Sequence, residues 1–408
     1  MLDTQKRQKF IQEEWASYPV VPAHHDVRGR VLSISGNQVF LRQGIFRVPD
    51  FWCPLLTTGD WISGLSLQKT QEDTLLEVSL LAPCLGSGGK TISESTWDCH
   101  QEFQDFLKEV AEFFRTRGLS EVHTPTLVPS PGTEPFLDVF KTEFEQGRKH
   151  KTLYLPTSPE LHLKKLMASR GEDIFEIRPC FRNGEVGPHH QPEFWMLEWY
   201  RAFSDLSVIK QDFLELVQFL VLRMKAQAPA AVTSKSMAEL FRESLNFSLF
   251  PTTSHQELES LAAREKLYIP VGSSWNDLFF LLFLEKIEKF LPESELTFVE
   301  KYPPSQAALA RLTPEGWGDR FEVYWQGLEL GNAFHELNDP QVQRLRFQDD
   351  LAKKKEIGKE PVALDEEFLH ALVEGMPPSA GIAVGLERLF MALRGLRDLS
   401  QFRLFPVE

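Results

Sequence analysis

The stretch Phe181-Arg182-Asn183-Gly184-Glu185-Val186-Gly187-Pro188-His189-His190-Gln191-Pro192-Glu193-Phe194-Trp195-Met196-Leu197-Glu198-Trp199-Tyr200 reads as a polar loop that runs into a strand. From Phe194 onward the side chains alternate. Phe194, Met196, Glu198 and Tyr200 point one way, and Trp195, Leu197 and Trp199 point the other, into a core. One face of the strand therefore presents a ring, a carboxylate and a phenol. Arg182, at the near end of the loop, adds a guanidinium suited to a phosphate or carboxylate, while Glu198 suits an ammonium.

Working outward, the 408-residue chain is long enough for two domains with a sizeable core, and 42% hydrophobic with 25% charged residues is ordinary for a soluble globular protein. A net charge of -14 disfavours non-specific nucleic-acid binding, although a local basic groove stays compatible with it. Cys53, Cys84, Cys99 and Cys180 show neither a C-x-x-C spacing nor a metal-ligand pattern, which reads as buried free thiols of a cytoplasmic protein. Met1 to Lys9 is charged with no apolar run after it, unlike a targeting signal. The longest apolar run, Leu278 to Leu284, is too short to span a bilayer, so no membrane association is expected.

Gly86-Ser87-Gly88-Gly89-Lys90 reads as a flexible boundary between a domain at 1–90 and one at 91–408. Before it lie strand-like pieces at Gly29 to Ser35, Gln38 to Arg42, Asp60 to Leu67 and Leu75 to Leu81, with a turn at Ser35-Gly36-Asn37. Short strands with glycine turns indicate a small, reduced barrel of the OB type. Its charges nearly cancel and no Lys/Arg stripe interleaves with aromatics, so a nucleic-acid-reading face is not supported, and a barrel that only packs on the rest of the chain or on a protein partner fits equally. Beyond the boundary, Phe103, Phe106, Leu107, Val110, Phe113 and Phe114 give a helix from about Asp98 to Arg117 that stops at Gly118, a stripe that reads first as core. Residues 205–295 form a helix-rich insert, clearest at Leu206 to Met224 and Trp275 to Leu291, with Ala228-Pro229-Ala230-Ala231 as a break.

Phe321-Glu322-Val323-Tyr324-Trp325-Gln326-Gly327-Leu328-Glu329-Leu330 reads as a hairpin turning at Gln326-Gly327. Tyr324 then faces Glu329 and alternation puts Glu322 on the same side, so two carboxylates converge on a region that could hold a metal, the bland alternative being solvated edge-strand acids.

Phe181-Arg182-Asn183, His190, Pro192-Glu193-Phe194 and Met196-Leu197-Glu198 resemble the second motif of the class II aminoacyl-tRNA synthetases in their lysyl branch. Gly381-Ile382-Ala383-Val384-Gly385-Leu386-Glu387-Arg388 is similar to the third motif, and the helix ending at Gly118 with Glu121-Val122-His123-Thr124-Pro125 is similar to the first. All three stand in the family's order over roughly residues 97 to 408. The resemblance implies an α+β fold, an antiparallel sheet flanked by helices, here joined to the small N-terminal OB-like β-barrel. It also implies ATP and Mg2+ as cofactors, and a homodimer formed through the first-motif helix and the strand with Pro125.

By resemblance, Arg182 and Arg388 are the catalytic cations, on the α-phosphate and the far phosphates. Asn183, His190, Phe194, Glu329 and Gly385 complete the ATP site, with Phe194 stacked on adenine, and Glu322 and Glu329 hold the magnesium. Ser158 and Glu160 in Thr157-Ser158-Pro159-Glu160 lie at the amino acid. Glu160 takes the backbone-side amine, Asn332 and Arg182 the carboxylate, Glu198, Tyr200 and Glu336 the distal ammonium, and Ala383 forms the pocket floor. Glu329 and Asn332 fall on opposite faces by simple alternation, so a bulge near Gly331 is expected. An unpaired buried charge costs several kcal/mol, roughly, so a neutral or shorter side chain would be rejected and lysine-like specificity follows.

The family's adenine-reading glutamate, two residues after the arginine, is Gly184 here. Either Glu185 replaces it through a backbone shift that Gly184 permits, or backbone groups and Phe194 suffice, or catalysis is lost. Gln191 stands for the usual asparagine and Glu387 for the usual aspartate. Ser305-Gln306-Ala307, Phe334-His335-Glu336, Gly375-Met376-Pro377 and Ala383 resemble the elongation factor P lysyl-ligase group, whereas Leu404-Phe405-Pro406 and the barrel look more like lysyl-tRNA synthetases. The expectation is adenylation of lysine or β-lysine and transfer to a lysine of elongation factor P. Charging of tRNA, disfavoured, and a catalytically silent binding paralogue are the alternatives.

Overall fold

The structure, a computed structural model, describes residues 4–14, 26–69, 74–82, 84 and 92–407. The chain divides into two compact units, Met1–Ser93 and Glu94–Glu408. The expected linker at Gly86 to Lys90 lies outside the described residues.

In the first unit, helix α1 (Thr4–Lys9) precedes strands β1 (Val27–Arg30), β2 (Ser33–Ser35), β3 (Gln38–Leu41), β4 (Gly44–Arg47), β5 (Trp61–Lys69) and β6 (Thr74–Ala82). The strand order is β1-β5-β6-β4-β3-β2. Strands β1 and β2 are consecutive in the chain, and at their junction Val31 donates to Asp60 O while Leu32 donates to Phe40 O, both at 2.8 Å. Val27 to Ser35 is thus one bent strand whose halves pair with β5 and β3, which closes the sheet on itself. With β4 running parallel to β6, this is the strand order of an OB barrel. Val31, Val39, Leu41, Phe46, Ile62, Leu76, Val78 and Leu80 fill it. Arg7 forms a two-pronged buried ion pair with Asp60 at 2.6 and 2.8 Å. The sequence reading missed β4, a four-residue strand with only one buried residue, Phe46.

The second unit opens with α2 (Glu94–Thr116), which starts four residues before the expected helix, followed by β7 (Ser120–Glu121) and a hairpin of β8 (Phe140–Gln146) and β9 (Lys149–Leu155). Then come α3 (Glu160–Arg170), β10 (Ile174–Phe181), β11 (Glu193–Ala202), α4 (Leu206–Met224), β12 (Ala231–Ser236), α5 (Met237–Leu245), α6 (His255–Arg264) and α7 (Trp275–Lys286). Last are β13 (Glu295–Tyr302), β14 (Gly318–Trp325), β15 (Leu328–His335), α8 (Pro340–Glu356), α9 (Glu366–Gly375), β16 (Ser379–Gly385) and α10 (Leu386–Arg394). Eight strands form one sheet in the order β12-β13-β14-β15-β16-β11-β10-β7, antiparallel except for the two outermost pairs. This is the expected α+β arrangement, an antiparallel sheet flanked by helices.

One sheet face is covered by α2, α4 and α10, whose Phe106, Phe113, Phe213, Leu216, Leu389 and Phe390 are fully buried with Leu197 and Trp199 of β11. Trp195 is partly buried against the same core, so the alternation read along β11 holds. Helix α4 belongs to this main core rather than to an insert. Helices α5, α6 and α7 form a separate apolar cluster that meets the sheet at Val299, Tyr302 and Tyr324. Each starts at a reciprocal cap, Ser236 with Glu239, Ser254 with Glu257 and Ser274 with Asp277. The expected helix to Leu291 breaks at Ile287, and the Ala228 to Ala231 breaker leads into the unanticipated edge strand β12.

Candidate active site

The three central strands carry the site in rows set by their register. Glu198 of β11 pairs with Ala383 of β16, which pairs with Asn332 of β15, so the three side chains stand side by side on the face away from the helical core. In the next row Tyr200, Gly381 and Phe334 align. A Cβ at Gly381 would lie 2.4 Å from the Tyr200 ring, so the phenol occupies the space that glycine leaves. The β14–β15 hairpin turns at Gln326 and Gly327, both with positive φ, as a two-residue hairpin turn requires. Tyr324 pairs with Glu329, but Val323 pairs with Gly331, so Leu330 is an extra residue in β15. That bulge lies one residue before the expected place and puts Glu329 and Asn332 on one face.

These rows floor a cavity of about 680 Å³. Ser158, Glu160, Arg182, His190, Phe194, Glu198, Glu329, Asn332, Ala383, Gly385 and Arg388 line it. Asn183, Tyr200, Glu322 and Glu336 do not form its wall. Asn183 is tied by its N–H to Asp138 O at 2.9 Å, Tyr200 holds the lining Glu198, and Glu322 is paired across the hairpin with the lining Asn332.

On the anion-binding side, the Arg182 guanidinium sits over the Phe194 ring, 5.0 Å from its centroid. Its Nε is buried and has no hydrogen-bond partner among the described residues, a costly condition for a guanidinium unless a ligand satisfies it. Gly184 has φ +82, and the Glu185 it precedes lines the cavity with its carboxylate 4.0 Å from Arg182. Glu185 thus reaches the same cavity as Arg182. Arg388 donates to Glu329 O at 3.0 Å and to His190 Nε2. Burial, with the adjacent Arg388 charge, lowers the His190 pKa and keeps the ring neutral as the acceptor of that bond. Gln191 exchanges two hydrogen bonds with the Val407 backbone, at 2.9 and 3.3 Å, which ties the loop to the C-terminal segment.

On the acidic side, Tyr200 donates to Glu198 Oε2 at 3.1 Å and the Ser158 hydroxyl stands close to the same carboxylate, whose Oε1 is buried without a well-formed hydrogen bond among the described residues. Burial, then the neighbouring Glu160, raises the Glu198 carboxyl well above the usual range. Glu336 is buried as well, with the Lys164 ammonium 2.5 Å from its Oε2. Arg320 donates to Asn332 Oδ1 at 3.2 Å, which orients the amide so that its NH2 faces the cavity as a donor for a carboxylate.

Among the described residues no group of three or more acids, histidines or cysteines forms a ready metal site, and of the two expected ligands only Glu329 lines the cavity, where it is placed to meet a cation brought by a ligand. Glu322 is more engaged. Its Oε2 accepts from Tyr302 and Tyr324, each at 2.6 Å, and its Oε1 from Arg320. With Oε2 saturated, it offers a cation only what remains on Oε1.

The sequence reading passed over several groups. Lys164 bonds Glu160 Oε1 at 2.5 Å and stands 2.5 Å from Glu336 Oε2. Glu134 and Asp350 line the cavity wall, and burial pushes Glu134 up to about 7. Arg320 precedes Glu322 by two on β14, so period-two alternation could have flagged it, and the i,i+4 spacing from Glu160 could have flagged Lys164. Glu134 sits in a loop with no periodic signal. Of the cysteines, Cys180 is fully buried, while Cys53, Cys84 and Cys99 are only half-buried.

A cavity with an unsatisfied cationic donor and an unsatisfied buried carboxylate suits a ligand that bears both signs. Residues 99–408 match the family described as tRNA synthetases class II (D, K and N). Among curated relatives, the chain is similar to the elongation factor P–(R)-beta-lysine ligase of Hamiltonella defensa, 34% identical over 309 residues, which is 74% of this chain and 93% of that protein. The protein of the same name from Vibrio vulnificus is 37% identical over 309 residues, with coverage of 74% and 93%. That from Haemophilus influenzae strain PittGG is 36% identical over 323 residues, with coverage of 76% and 98%. The sheet, the three motifs in order and the match over 99–408 agree, and the chain belongs to the class II tRNA synthetase family.

Proposed function

We propose that this protein is an AMP-forming ligase. It activates lysine or β-lysine with ATP and passes the aminoacyl group to a lysine side chain of elongation factor P, as a cytoplasmic, magnesium-dependent homodimer. The observation that carries the reading is the pairing, within one cavity, of the partnerless Arg182 Nε with the partnerless Glu198 Oε1. A carboxylate oxygen of the amino acid attacks the α-phosphorus and pyrophosphate leaves, with Arg182 over the developing charge and Arg388 on the far phosphates. Asn332, oriented by Arg320, donates to the substrate carboxylate. Phe194 stacks on the adenine ring, and Glu185 accepts from its amino group in place of the family's glutamate. Glu329, with Glu322 nearby, would hold a magnesium ion, which would supply positive charge against the phosphates. In the second step a neutral acceptor amine attacks the acyl carbon and AMP leaves.

The names of the curated relatives support elongation factor P as acceptor. About a quarter of this chain lies outside those alignments, which cover 74% of it in the first two. The closed N-terminal barrel has the strand order of oligonucleotide-binding barrels, which favours tRNA as the second reading. The test is amino-acid-dependent pyrophosphate exchange, followed by incubation of labelled amino acid and ATP with elongation factor P and with tRNA. Label on elongation factor P supports the first reading and label on tRNA the second. Absence of exchange with both lysine and β-lysine would overturn activation altogether.

A further inference from the structure

Behind the acidic wall of the cavity stands an ammonium of the protein's own. Lys164 lies one helical turn after Glu160 on α3, so the two share a face, and its Nζ bonds Glu160 Oε1 at 2.5 Å. On its other side Nζ stands 2.5 Å from Glu336 Oε2, at the end of β15. The Lys164 and Glu336 side chains are each 1% exposed and Glu160 is 16% exposed. Burial alone would lower the Lys164 pKa, but Glu160 and Glu336 together overcome it and hold the ammonium above its usual range. The Nζ also lies 5.9 Å from the centroid of Phe334, a ring of the cavity wall.

Three acids were expected to meet a substrate with two ammonium groups, and three negative charges do not match two positive ones. We propose that Lys164 is a positioning residue that sets the charge of the amino-acid pocket. By clamping Glu160 to Glu336 it turns them into one centre of single negative charge, so the pocket offers a diamino acid two single charges, this centre and Glu198, instead of three. The inference rests on the amino-acid site proposed above. In it, Lys164 touches the two carboxylates and not the substrate, and Glu336 acts through Lys164 instead of gripping the distal ammonium directly.

The experiment uses the full chain, pyrophosphate exchange with lysine and with β-lysine, and four forms: wild type, K164M, K164R and the double variant K164M/E336Q. Leaving one charge of a buried pair unmatched predicts that K164M raises the amino-acid KM by about 100-fold while the ATP KM moves by less than about threefold. Removing the excess charge in K164M/E336Q should recover about tenfold or more of that loss, and K164R, which keeps the charge, should stay within about tenfold of wild type. A double variant no better than K164M, or equal losses in the KM for ATP and for amino acid, overturns the proposal and leaves Lys164 a packing residue. If wild type exchanges with neither amino acid, the functional reading fails. The charge match is then decided by thermal melting, in which K164M/E336Q must melt above K164M.

Discussion

At the scale of single residues, the site is defined by buried polar atoms that no described residue satisfies. Arg182 Nε is the clearest donor of this kind. Arg182→Ala should lower amino-acid-dependent pyrophosphate exchange by about 1,000-fold, read as kcat, with an unchanged circular dichroism spectrum, because a fixed donor aimed at transition-state charge is lost. Glu198 Oε1 is the matching acceptor. Glu198→Gln keeps the shape and the bond from Tyr200 but removes the charge, and should raise the KM for lysine by about 100-fold while the KM for ATP stays within about threefold. Equal effects on both substrates would place Glu198 outside the amino-acid subsite. Most of these residues were legible because they fall in ordered motifs with a strand period. Lys164 and Arg320 were not, because a basic residue in a helix or strand is normally solvated, and only tertiary contacts reveal that these two are buried against acids.

At the scale of elements, the pocket depends on which residues occupy equivalent positions on neighbouring strands. The bulge at Leu330 shifts the register so that Glu329 and Asn332 share a face, something an unbroken two-residue period cannot do. The family resemblance called for that irregularity, because it puts both residues in the site while simple alternation parts them. It could not specify which residue is extruded. Gly381 plays a comparable part on β16, since its missing Cβ admits the Tyr200 ring that holds Glu198. Gly381→Ala should destabilise the fold by about 1 to 3 kcal/mol through overpacking and, by displacing Tyr200, raise the KM for lysine more than the KM for ATP. Melting temperature and exchange kinetics on the same preparation check both parts. An alanine variant with wild-type KM values would show that the ring has room to move.

At the scale of the whole molecule, burial in the second unit holds carboxyls outside the Lys164 ion pair above their ordinary range, among them Glu387 and Glu134, each at about 7. An unfolded chain releases those protons near pH 4.5 while the folded chain keeps them. Stability is therefore fully present below that point and is lost as pH rises through about 7. Without ligands the melting temperature should fall by about 5 °C between pH 5.5 and 8.5, and lysine should flatten the slope by bringing ammonium groups to the buried acids. A melting temperature that rises over this interval would mean that the acids are already ionised. The sequence by itself determined the order of the motifs, the face that each strand presents and the residue types of an anion-and-ammonium site, because strand period and turn chemistry are local properties of the chain. The tertiary structure alone decided that α4 belongs to the main core, that β12 extends the sheet, that Glu336 meets Lys164 and that Glu322 is held by two tyrosines. Each of those outcomes depends on which distant segments meet and on how much water they exclude, and neither is set by neighbours in the chain.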